Sequence, residues 1–152
     1  PWVIDVIGED TFGSEPEFRM LGTGAGRADL IVIDRAGYEI DWLPIDVATI
    51  SSFAIDARAD GLIELDVIGA DRAFQAPAGA DLELDVSGEA FGRQLTGDVQ
   101  LRVELDAAIA TAMRADADVA RGHLHLTMPA GEHDLRVTAP GGATQRIVLL
   151  GR

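Results

Sequence analysis

The sequence predicts an all-β protein, an antiparallel β-sandwich, and three observations carry that prediction. Apolar residues alternate with polar ones over much of the chain. The alternating runs are parted by short breaks that end in glycine: Arg35-Ala36-Gly37, Ala59-Asp60-Gly61 and Pro129-Ala130-Gly131. Two runs, residues 81–86 and 98–105, are amphipathic throughout. Period-2 alternation marks a strand with one face in a core, and glycine supplies the positive φ that closes a short loop.

In chain order, the strands expected are residues 2–7, 17–21, 28–34, 38–42, 52–58 and 62–68, then 81–86, 90–95, 98–105, 108–114, 123–128, 133–138 and 144–150. Residues 69–80, with Pro77 and Gly79, read as a linker. Six strands precede it and seven follow, so the expectation is two tandem immunoglobulin-like units, residues 1–74 and 75–152. A single jelly-roll-like sandwich is the alternative.

Register follows from faces, because a one-residue slip turns a strand inside out. Pairing Asp34 with Tyr38 sets Val32 opposite Ile40 and Leu30 opposite Trp42, which puts Trp42 in the core. Pairing Arg58 with Leu62 sets Ile55 opposite Leu65 and Phe53 opposite Val67. In 81–86 and 98–105, Leu82, Leu84, Val86, Val99, Leu101, Val103 and Leu105 point inward. A turn at Ala130-Gly131 aligns Leu124, Leu126 and Met128 with His133, Leu135 and Val137. Residues 105–121 are ambiguous: Leu105, Ile109 and Met113 have helical spacing, whereas a similarity between residues 46–67 and 106–128 favours a hairpin, which is the reading adopted.

The chain carries a formal net charge of −14 with acids spread along its length, which disfavours nucleic acid and anionic lipid. Cysteine, lysine and asparagine are absent, so disulfides, thiolate metal sites and N-glycosylation are excluded. The joint absence of lysine and asparagine is the mark of a GC-rich genome. No run reaches the roughly 18 apolar residues of a membrane helix. The start at Pro1, directly in a strand-like run, reads as an excised or processed product.

Several constellations invite a chemical reading. His123, His125 and His133 are the histidines of the chain. The faces send His123 and His125 one way and His133 the other, against a three-histidine zinc site. Gly22-Thr23-Gly24-Ala25-Gly26 has Arg27 where a dinucleotide fingerprint needs glycine, and it reads as a connector. Asp116-Ala117-Asp118 starts like an EF-hand loop, but Ala120 and Arg121 break the pattern. Calcium between loops, through Asp116, Asp118, Asp60 or Asp10, is the remaining cation candidate; otherwise no cofactor is expected. Serines 14, 51, 52 and 87 lie in no nucleophile elbow, and no catalytic motif occurs, so an enzyme is not expected. Trp2 and Tyr38 are the candidates for stacking on a sugar ring.

From Phe74 onward, "FQAPAGADLELDVSGEAFGRQLTGDVQLRVEL" and "GHLHLTMPAGEHDLRVTAPGG" resemble bacterial immunoglobulin-like or macroglobulin-like domains. The shared features are a Pro-x-Gly opening, a strand pair rich in small residues and a closing Pro-Ala-Gly hairpin. "GTGAGRADLIVIDRAGYEI" is similar to the opening of the same kind of repeat. The resemblance implies a non-catalytic module of a secreted, cell-surface or envelope protein, serving contact, adhesion or spacing through a protein partner. A carbohydrate-binding module and a structural subunit of a virion or other assembly are the alternatives.

Overall fold

A computed structural model describes residues 4–10, 17–22, 25–33, 36–66, 71–95 and 99–152. The chain forms two compact units, Pro1–Thr49 and Ile50–Arg152. In the first, β1 (Ile4–Asp10) pairs antiparallel with β2 (Glu17–Gly22), and β3 (Gly26–Ile33) pairs antiparallel with β4 (Glu39–Val47). Gly26 pairs with Val47, so the end of the glycine-rich connector already belongs to β3.

The second unit holds β5 (Ser52–Arg58), β6 (Ile63–Leu65), β7 (Arg72–Ala76), β8 (Asp81–Ala90), β9 (Arg93–Gln94) and β10 (Arg102–Leu105). After helix α1 (Ala107–Ala112) and a 3-10 turn (Val119–Arg121) come β11 (His123–Thr127), β12 (Gly131–Thr138) and β13 (Thr144–Gly151). Two sheets result. One has the order β10-β12-β13-β7-β6, the other β11-β8-β5 with β9 paired to β8. All pairings are antiparallel except β13 with β7, which is parallel. The described residues thus contain thirteen strands against one six-residue helix, an all-β sandwich as the alternation predicts.

The core lies between these two sheets. Leu82, Leu84 and Val86 of β8 and Leu124 and Leu126 of β11 face Phe74 of β7, Leu135 and Val137 of β12, and Ile147 and Leu149 of β13, all buried. The alternation in β8 is complete, with every second residue from Leu82 to Ala90 buried. Each leucine so buried contributes roughly 1.5–3 kcal/mol relative to exposure.

The structure corrects the expected pairings. A hairpin and an arch between sheets need the same turn, and both turn apolar residues toward one core. At Ala59-Asp60-Gly61 the turn is present, with the Leu62 amide donating to the Ala59 carbonyl at 3.2 Å and Gly61 at φ +70°. The chain there crosses the sandwich: β5 pairs with β8, and β6 with β7. Likewise β11 pairs with β8 while β12 pairs with β10 and β13, so Leu124 and Leu126 meet Leu135 and Val137 across the core rather than side by side. In the first unit, Ile33 pairs with Glu39 in the predicted register, but a bulge between Val32 and Ile33 shifts the rest by one. Leu30 then lies opposite Leu43, and Ile31 opposite Trp42.

Three further expectations change. The supposed linker contains β7, whose Ala73, Phe74 and Ala76 are buried. The adopted strand at 108–114 is helix α1 instead: the Asp106 side chain accepts the Ile109 amide at 2.8 Å as an N-cap, and Ile109 is fully buried. Residues 46–67 and 106–128 are therefore not equivalent, although Gly61 and Gly122 both take positive φ. The expected boundary between residues 74 and 75 cuts β7, and β5 and β6 before it share sheets with strands after it.

Candidate functional site

The outward face of the β11-β8-β5 sheet is built by the residues that alternate with the core leucines. Register places Asp56, Asp85 and His123 in one row across the strands, and Arg58 and Glu83 with His125 in the next. Arg58 pairs with Asp56 and reaches Asp85 at 3.7 Å, and His123 Nδ1 lies 2.8 Å from Asp85 Oδ1. A shallow depression of about 470 Å³ opens here, bordered by Asp56, Arg58, Asp85, Ser87, Gln94 and Arg121. The Gln94 side chain donates to Ser87 Oγ at 2.9 Å and ties β9 to this face.

The β8-β9 connection at the border of that face is the strongest local anomaly. Ala90 pairs with Arg93, so Phe91-Gly92 is a two-residue loop, and both residues have positive φ, +53° and +71°. Such a turn favours asparagine or glycine at its first central position. Phe91 is the non-glycine residue with positive φ among those described, and it is 93 % exposed. Neither its backbone nor its ring is placed as folding alone would choose. The sequence reading carries a strand through this position; the Phe-Gly pair between alternating runs is the signal it passes over.

Residues 106–121 carry the second cluster. His133, on the inward side of β12, sets Nδ1 2.9 Å from Asp106 Oδ2 and Nε2 2.9 Å from the Ala130 carbonyl oxygen. His125, on the outward side of β11, sets Nδ1 2.8 Å from Asp116 Oδ2 and a buried Nε2 3.2 Å from Asp81 Oδ1, within ion-pair reach but off the line of a hydrogen bond. Arg114 donates to Asp81 at 3.0 Å. The Ala130 carbonyl, and then Asp106, raise the pKa of His133 above its ordinary value; Asp116 and then Asp81 do the same for His125. Conversely, the Ile109 amide holds the Asp106 carboxyl low, with His133 adding to it. His125 lowers both Asp81 and Asp116.

The remaining sequence candidates are dispersed. Trp2 lies outside the described residues. Tyr38 stands between β3 and β4 and is 72 % exposed. Trp42, expected in the core, is 52 % exposed, because the bulge in β3 pairs it with the equally exposed Ile31. Of the aspartates considered for calcium, Asp116 is engaged by His125 and Asp118 lies 3.6 Å from Arg121. Asp60 lies in the turn after β5, and the side chain of Asp10 is outside the described residues. His123 and His125 alternate with the buried residues of β11 and His133 lies on the inward side of β12, on opposite faces as expected, but the two strands belong to different sheets rather than to one hairpin. Among the described residues no group of three or more histidines and carboxylates is arranged to hold a metal ion, and no helix is long and apolar enough to cross a membrane. Comparison with protein-family models, curated proteins and solved structures finds no match to this chain.

Proposed function

We propose that this chain is a non-catalytic β-sandwich contact module that engages a protein partner through the β8-β9 hairpin. Phe91 is its anchor, and the outward face of the β11-β8-β5 sheet is its polar rim. The observation that carries this reading is the exposed phenylalanine held in a left-handed turn. Strained backbone and exposed aromatic surface each cost stability, and interfaces concentrate energy in aromatic anchors ringed by polar groups. The rim is already paired internally, Arg58 with Asp56 and His123 with Asp85, which suits orientation of a partner better than proton transfer. A secreted or surface-exposed setting, with an adhesive or spacing role, is in keeping with the acidic composition and with the resemblance to bacterial immunoglobulin-like modules.

A photo-cross-linking residue placed at position 91 should give one discrete adduct in cells of the source organism, whereas the same group at exposed Arg102, on the other sheet, should not. Adducts of equal intensity and pattern from both positions would overturn the reading. Carbohydrate binding is a second reading, favoured by the half-exposed Trp42 and the exposed Tyr38. Calorimetric titration with neutral oligosaccharides, repeated on Trp42→Ala, distinguishes it: heat lost with the tryptophan would favour the sugar.

A further inference from the structure

Residues 106–121 leave one sheet after β10 and join the other at β11, and they close one end of the core with Ile109 fully buried and Ala112 and Met113 packed against it. Little backbone pairing holds this stretch. Among the described backbone bonds to its surroundings, the Arg114 amide donates to the His125 carbonyl at 2.7 Å, the Leu101 amide to the Ala120 carbonyl at 2.7 Å, the His123 amide to the Asp118 carbonyl at 3.0 Å and the Asp106 amide to the Asp134 carbonyl at a long 3.4 Å. Side-chain latches supply the rest, and two of them are histidines.

We propose that residues 106–121 form a pH-sensitive clasp over the end of the core, latched to β12 by His133 and to β11 and β8 by His125 while both are imidazolium ions, and loosened when they lose their protons. A neutral imidazole carries one N–H and can donate to one acceptor only. His133 faces two acceptors, Asp106 at the head of the helix and the Ala130 carbonyl, and His125 faces two carboxylates, Asp116 on the clasp and Asp81 on β8. At His133 only the doubly protonated ring donates to both acceptors at once; at His125 the imidazolium donates to Asp116 while its charge pairs with Asp81.

The surrounding charges act in the same direction. Around His125, Glu83 is its register partner on β8 with Arg58 of β5 next in the row, Asp85 lies one row away with His123, and Arg114 is the cation bound to Asp81. Around His133, Glu132 and Asp134 flank it on β12; Arg146 of β13 neutralises Asp134 at 2.9 Å and also meets Asp71. Carboxylates outnumber cations at both latches, and they hold the protons on. For a histidine whose folded pKa is raised, the stabilisation is complete below the unfolded value of about 6.5 and disappears as pH rises through the folded one. For the lowered carboxyls of Asp81, Asp106 and Asp116 it is present above about 3.9 and disappears as pH falls further. The clasp is therefore shut in mildly acidic solution and loosens above neutrality.

Native-state amide hydrogen exchange of the whole chain, corrected for intrinsic rates, tests this at pH 5 and pH 8. The amides of Ile109, Ala110 and Arg114 should open on the order of tenfold more often at pH 8, the factor that about 1.4 kcal/mol represents, while the β12-β13 ladder should hold its protection. In the double variant His125→Gln, His133→Gln the contrast should vanish, with the clasp open at both pH values; each single variant should remove part of it. Equal opening of the wild-type clasp at both pH values would overturn the proposal, as would an undiminished contrast in the double variant. Should the double variant not fold, the wild-type contrast and the single variants decide in the same way.

Discussion

A Cβ on Gly122 would lie 2.2 Å from the Val86 carbonyl oxygen, and the residue already sits at φ +81°. It also accepts the Val86 amide at 2.9 Å, so the backbones of the 3-10 turn and β8 touch here with no room for a side chain. Gly37 has a similar φ of +87° but open space around it. Gly37→Ala should therefore cost only the left-handed strain, about 1–2 kcal/mol, and Gly122→Ala clearly more, since backbone must move. Urea melts of the two variants measure the difference, and equal midpoints would mean the close approach is not real. Phe91 gives the opposite expectation. Phe91→Asn relieves the left-handed turn and withdraws an exposed ring, so it should raise stability by about 0.5–1 kcal/mol in the same melts. A variant less stable than the parent would show that the ring serves folding after all. The left-handed glycines at 37, 61 and 131 were legible in the sequence, because that constraint is local to one residue and its neighbours. Phe91 was not, because the one local signal, the glycine that follows it, is outweighed by a phenylalanine that fits a strand better than the first position of a left-handed turn.

Among the elements, helix α1 is the clearest case of two codes in conflict. Its alanines and the spacing of Leu105, Ile109 and Met113 favour helix, and Asp106 settles the matter by capping Ile109 and taking His133 and the Asp134 amide, at 3.3 Å, on its other oxygen. Asp106→Ala should lose both the cap and the latch, costing about 1–2 kcal/mol. Asp106→Asn keeps an oxygen for the Ile109 amide and should cost less. Thermal melts at pH 5 rank the two; an alanine variant as stable as the asparagine variant would remove the cap from the account. The strands themselves were readable wherever alternation was strong, as in β8 and β12, and so were the inward faces of Leu82, Leu84, Leu135 and Val137. Their partners were not. An arch and a hairpin have the same turn glycine and the same inward face, and they differ only in which sheet receives the next strand. β7 escaped notice because it is five residues long and rich in alanine, and its pairing with β13 spans most of the unit.

At the scale of the molecule, the buried core among the described residues lies within Ile50–Arg152. Ile50 and Phe53 contribute from one end of that unit, Ile147 and Leu149 from the other, and β7 docks between the central strand β13 and the edge strand β6. The Pro- and Gly-containing stretch 69–80, with six strands expected before it and seven after, suggested a division at 74/75, but local composition carries no information about long-range pairing. A fragment starting at residue 75 would lose β5 and β6, would keep only Gln75 and Ala76 of β7, and would leave Leu84 and Leu149 exposed to water along two broken sheet edges. The fragment 50–152 loses none of these contacts. It should unfold cooperatively as a β protein, with a denaturant slope in proportion to the surface of about a hundred residues, whereas the fragment 75–152 should show no cooperative transition. Circular dichroism with urea titration of both fragments measures this. A cooperative transition in 75–152 comparable to that in 50–152 would mean that β5 and β7 are dispensable to the core, and the boundary between Thr49 and Ile50 would then have no energetic basis.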